Sequence, residues 1–113
     1  MQVELSHRTG LVTARLVGEL DHHGAGEIRE AIDEAVLRYR AGQLVLDFSG
    51  LTFMDSSGVG LIMGRYRLLR SLGGTVTVIG ASPRLERMIR LAGLDKLPIW
   101  EQPKGGDRDE IGQ

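Results

Sequence analysis

Residues 53–60 read Phe-Met-Asp-Ser-Ser-Gly-Val-Gly. A carboxylate, Asp55, stands directly before two hydroxyls, Ser56 and Ser57, and before two glycines, Gly58 and Gly60. Three chemistries fit such a run. Asp and Ser ahead of an apolar helical stretch are ordinary helix caps. A serine with a base nearby is a nucleophile. A serine at the head of a helix is also a substrate for another enzyme, because a phosphate there meets free backbone N–H groups and the positive end of the helix dipole.

The nucleophile needs a base and an oxyanion site. The run is not the G-x-S-x-G elbow of serine hydrolases. His22 and His23, near a strand end, are the bases on offer, since His7 falls in an earlier hairpin. Both read first as solvated turn residues. A metal site at Asp21-His22-His23 is disfavoured because adjacent side chains on a strand point apart. Phosphate cradling is unsupported, because Gly-Val-Gly-Leu-Ile-Met-Gly matches neither common Gly-rich phosphate loop. The modified serine remains, with Ser56 and Ser57 equally eligible. Its added charge, about −1.5 to −2, acts on whatever docks there. The glycines sharpen this. Each one inside a helix costs roughly 1 kcal/mol relative to alanine, so Gly58, Gly60 and Gly64 point to a close approach, by another part of the fold or by a partner.

The elements that must hold these residues follow from periodicity. Val3–Leu5 and Leu11–Val17, joined across Arg8-Thr9-Gly10, read as a hairpin. Residues 24–40 are helical, with Ile28, Ala31, Ile32, Ala35 and Tyr39 as the inner stripe and Glu27, Glu30, Asp33 and Glu34 facing away. Leu44–Phe48 reads as a central strand covered on both faces, ended by a turn at Ser49-Gly50. A second helix spans residues 57–72, with Val59, Ile62, Met63, Tyr66 and Leu69 inward and Leu61 off that stripe. Thr75–Ile79 is a strand. Ser82-Pro83 opens a third helix, with Leu85, Met88, Ile89 and Ala92 inward and Gly93 as its stop. Residues 96–100 suggest a last edge strand around Pro98. Strands alternating with helices imply parallel pairing with right-handed crossovers. The predicted fold is α/β: a small sandwich with a mostly parallel sheet, an antiparallel N-terminal hairpin and helices packed on it. Residues 1–100 form one domain, and 101–113, polar and Gly-rich, are expected to be a disordered tail.

Composition narrows the function classes. The chain has 113 residues, a net charge of −1 and no cysteine. Thiolate catalysis and disulfides are excluded, and bulk charge gives no support to nucleic-acid or anionic-membrane binding. No apolar run approaches a spanning helix, so a cytoplasmic location is the default. The stretch Ser-Pro-Arg-Leu-Glu-Arg-Met-Ile-Arg-Leu-Ala-Gly-Leu-Asp-Lys-Leu (82–97) faintly suggests a DNA-binding helix-turn-helix. Pro98 interrupts it, and no basic run comes after it.

The segments GELDHH (18–23), LDFSGLTFMDSSGVGLIMGRY (46–66) and GGTVTVIGASPRLERMIRLAGL (73–94) resemble a STAS domain, of the kind that antagonises anti-sigma factors in sporulation. The resemblance implies a partner switch rather than an enzyme. In that family the phosphoacceptor directly follows the aspartate, which selects Ser56. Asp21, His22, Asp55, Ser57, Gly58, Gly60 and Leu61 become the implied partner-facing residues. The implied partners are an anti-sigma factor with serine kinase activity and a serine phosphatase, with no nucleic acid or membrane. No cofactor belongs to the domain, because ATP and Mg²⁺ are the kinase's. An antagonist of a general-stress sigma pathway would use the same chemistry.

Overall fold

The computed structural model describes residues 1–101. The order is β1 (Gln2–Arg8), β2 (Leu11–Leu20), α1 (His22–Arg38), β3 (Gln43–Met54), α2 (Ser56–Ser71), β4 (Thr75–Ile79) and α3 (Pro83–Ile89). A π-type turn, Arg90–Leu94, continues α3 and breaks at Gly93, whose φ is 100°. The sheet runs β1-β2-β3-β4, antiparallel for the first pair and parallel thereafter. The sequence implied this mixed α/β architecture. Residues 102–113, most of the expected tail, lie outside the described residues.

Burial alternates along the strands. Val12, Ala14 and Leu16 of β2, Leu44, Leu46 and Phe48 of β3, and Val76 and Val78 of β4 are buried, while their neighbours are only partly covered. The sheet therefore buries one face fully, which corrects the expectation that β3 is covered on both. Its apolar run comes from Val45, which is only half-buried. Nor does Ser49-Gly50 end β3, which runs on to Met54. Gly50 stays in the strand because β2 passes close by: a Cβ there would stand 2.8 Å from the Leu16 carbonyl. The register shifts twice, between Arg15 and Val17 and again between Gly18 and Glu19. Gly18 takes a φ of 107° at the second shift, a conformation open to glycine. Such bulges bend a strand and re-aim the residues beyond them.

The helices depart from the predicted stripes in detail. In α1, Val36 is buried where Tyr39 was expected. Tyr39 instead stacks on His7 of β1, ring centroids 3.7 Å apart. In α2 the buried set is Gly58, Leu61, Ile62, Arg65 and Leu69, about one residue step round from the predicted face. In the π-type turn after α3, Ala92 is exposed and Leu94 is buried. The suggested last strand is one bridge, Val78 to Trp100, beside a buried Ile99.

Candidate functional site

Two helices begin side by side at the carboxyl end of the sheet. Leu20 and Met54 are partners in the parallel β2–β3 register, so Asp21 and Asp55 leave their strands together. The Asp55 amide donates to the Leu20 carbonyl at 3.1 Å and ties the two exits. Each aspartate then caps its helix. Asp21 Oδ1 accepts from the amides of His23 at 3.0 Å and Gly24 at 3.2 Å. Asp55 Oδ1 accepts from the Ser57 amide at 2.8 Å. These bonds satisfy N–H groups that a helix start otherwise leaves free. The capping aspartates explain why α1 begins at His22, earlier than the periodicity suggested.

The Asp55 carboxyl is held below the usual carboxylate range, chiefly by the Ser57 amide; partial desolvation opposes this, and the Ser57 hydroxyl and His22 add smaller lowering effects. His22 Nδ1 lies 3.9 Å from Asp55 Oδ2, and His23 Nδ1 the same distance from Asp21 Oδ2. The two imidazoles do not point apart as strand neighbours would. They sit in the first turn of α1 with centroids 4.1 Å apart.

The two serines are not equivalent. Ser56, the first residue of α2, is exposed, and its hydroxyl makes no hydrogen bond to another described residue. Ser57 is half-buried, and its backbone amide is the donor to Asp55. No histidine hydrogen-bonds either hydroxyl among the described residues.

The glycines divide. Gly58 is buried, and a Cβ on it would collide with the Met54 side chain and come within 3.2 Å of Leu20. It admits the protein's own core, which corrects its assignment to the partner-facing surface. Gly60 is exposed, and a Cβ added to it would meet nothing within 4 Å; Gly64 is equally open. Leu61 is also corrected: at 4% exposure it belongs to the core.

Taken together, the first turn of α2, the aspartate at the end of β2 and the order of strands match one family. The STAS-domain model matches residues 2–104. The chain belongs to the STAS family. It is 41% identical over 102 residues to a protein named anti-sigma F factor antagonist from Paenibacillus polymyxa, covering 89% of this chain and 87% of that one. Its fold is similar to that of the anti-sigma factor antagonist SpoIIAA in its unphosphorylated form, with a TM-score of 0.78 and 33% identity over 96% of this chain and 91% of that one. SpoIIAA of Bacillus in its phosphorylated form gives 0.72 and 32%, covering 96% and 97%.

Within this STAS domain, sequence reasoning passed over two features beside the heads. Phe53, just before the site, is 46% exposed. Arg65 of α2 is 7% exposed and its Nε lies 2.8 Å from Asp33 Oδ1 of α1. Asp33 thus faces α2 while keeping 30% of its side chain exposed to solvent. The pair lacks the alignment of a hydrogen bond, and Arg65 Nη1 has no partner either. Burial pushes the Asp33 carboxyl up against the lowering pull of Arg65 and Arg29. Burial likewise pushes Arg65 down, opposed by Asp33. The signal was available: Ser57, Leu61 and Arg65 share one helical stripe at spacing four.

Proposed function

We propose that this STAS domain is an anti-sigma-factor antagonist of the sporulation kind, a switch and a substrate rather than an enzyme. In the unmodified state it binds an anti-sigma factor through the heads of α1 and α2 and so frees a sigma factor. The anti-sigma factor is also a serine kinase, which supplies the ATP and Mg²⁺. Transfer of a phosphoryl group to Ser56 breaks the complex, and a serine phosphatase restores it. The names of the relatives support this reading.

The observation that carries it is the division of labour between Asp55 and Ser56. The aspartate caps α2, which leaves the Ser56 hydroxyl exposed and without a structural task. Esterifying it removes no hydrogen bond from the fold. The phosphate gains from the amides of the first turn, and the capping site is not disturbed. Its charge instead falls beside Asp55 and near the Asp21 cap, on an already acidic rim. A partner surface matched to that rim, and packed closely on Gly60, meets both added bulk and about two added charges.

Incubation with the cognate kinase and Mg-ATP followed by peptide mass spectrometry tests the assignment. One phosphate on Ser56 is expected, and none on the Ser56→Ala variant. Labelling of Ser57 in the wild-type chain refutes it.

A further inference from the structure

Below the helix heads runs a groove of about 270 Å³ between α1 and α2, lined by Ala25, Gly26 and Arg29 on one side and Ser57, Gly60, Leu61, Gly64 and Arg65 on the other. Three features distinguish it from an ordinary seam between helices. Its walls are bare: a Cβ on Gly26, Gly60 or Gly64 would meet nothing within 4 Å. Its lining includes a guanidinium whose side chain is only 8% exposed and whose Nη1 lacks a hydrogen-bond partner. Its lining carries two guanidiniums, Arg29 and Arg65, and no carboxylate among the described residues, with Asp33 the acidic group that both act on. Arg29 is exposed and forms no ion pair among the described residues.

We infer that this groove is a carboxylate-accepting subsite, in which an Asp or Glu side chain of the docked anti-sigma factor sits between Arg29 and Arg65. The inference rests on the docking proposed above and adds the groove's own occupant. Arg65 lines the groove close to the exposed Arg29, and a carboxylate delivered there offsets guanidinium charge that Asp33 alone does not balance. Bare helix backbone lets a partner's chain come close enough to deliver one. A carboxylate suits the modest positive excess, and planar bidentate pairing is what arginine does best. The docking face then carries two signs of charge. The rim at Asp21 and Asp55 selects for cations on the partner, and the groove selects for an anion a short way down α2. A pattern of this kind sets register and rejects wrong partners.

Calorimetric titration of the full chain against the purified kinase tests the subsite. Arg29→Glu is expected to weaken binding by about tenfold or more. Gly60→Leu, which fills the groove, is expected to do the same with the fold intact by circular dichroism. Gly26→Gln is the second filler should Gly60→Leu unfold. A single Asp or Glu to Lys change on the kinase is expected to restore binding to Arg29→Glu alone. Wild-type affinity in the folded fillers overturns the groove, whatever Arg29→Glu does, because a long-range field effect needs no groove. Ser56→Asp separates the two failures. If it weakens binding while the groove variants do not, the subsite falls and the docking face stands. If it too binds unchanged, the docking reading fails and takes the subsite with it.

Discussion

The heads of α1 and α2 are built to one plan and finished differently. Each follows a parallel strand with an apolar residue, an aspartate, two polar residues and a glycine: Leu20-Asp21-His22-His23-Gly24 and Met54-Asp55-Ser56-Ser57-Gly58. Each aspartate caps its own helix. At α1 the two positions after the cap are imidazoles packed against one another, and Gly24 faces Met1. At α2 they are hydroxyl residues, Ser56 exposed and Ser57 half-buried, and Gly58 is wedged on Met54 and Leu20. The shared part is what any strand-to-helix exit needs. The differing part puts an exposed hydroxyl at one head only, on the helix whose start is locked more tightly to the core. That hydroxyl stands at a point that the fold does not rely on for its own hydrogen bonds.

The glycines give the sharpest way to break this comparison. Gly58→Ala forces Met54, which is buried, to move, and is expected to destabilise by about 2 kcal/mol, read as a fall in the urea midpoint at constant m. Gly24→Ala asks only that Met1, 40% exposed, give by a few tenths of an ångström, and should stay within about 0.5 kcal/mol. Equal effects at the two positions would mean that α2 is not locked more tightly than α1.

The caps come next. Asp21→Ala is expected to cost about 1 kcal/mol, and Asp21→Asn a few tenths at most, since asparagine accepts the same N–H bonds. If Asp21→Asn also lowers affinity for the kinase, the charge at the α1 head serves recognition separately from its capping role. Gly60→Ala works in the opposite direction. With open space around it, the new methyl should stabilise α2 by about 0.5 to 1 kcal/mol, seen as a raised melting temperature. No gain there would show that the open wall of the groove is needed by the fold.

The smallest effect is titration. The Asp55 carboxyl is lowered in the folded protein relative to its ordinary value of 3.8. The folded state therefore binds fewer protons, and stability rises with pH across that window. Asp55 supplies its stabilisation in full above pH 3.8 and loses it as pH falls through the lower folded value. Asp55→Asn should flatten that acid limb, measured by thermal melts at stepped pH, while Asp21→Asn leaves the Asp55 contribution in place.

Much of this was legible from the chain. The β-α alternation, the Ser82-Pro83 start and the Gly93 stop are local signals, and the structure carries them out at those residues. Helix faces were harder. Val59, Met63 and Tyr66 are as apolar as Leu61, and helical spacing alone accommodates either stripe. The inner face of α2 was decided by Gly58, whose missing side chain lets the helix settle onto Met54 and Leu20 and rolls Leu61 and Arg65 inward. The extent of β3 was illegible for a related reason. Ser49-Gly50 is a turn signal by composition, but pairing with a bulged β2 holds it extended.

The sequence alone determined the class of fold, the capped starts of α2 and α3 and the presence of hydroxyls behind an aspartate, because these depend on neighbours a few residues apart. Only the tertiary structure showed Ser56 exposed and Ser57 half-buried, sent Gly58 inward and Gly60 outward, and brought Arg29, Asp33 and Arg65 together. Those outcomes depend on how α1 and α2 lie against each other and the sheet, and periodicity along one helix carries no record of the angle at which its neighbour arrives.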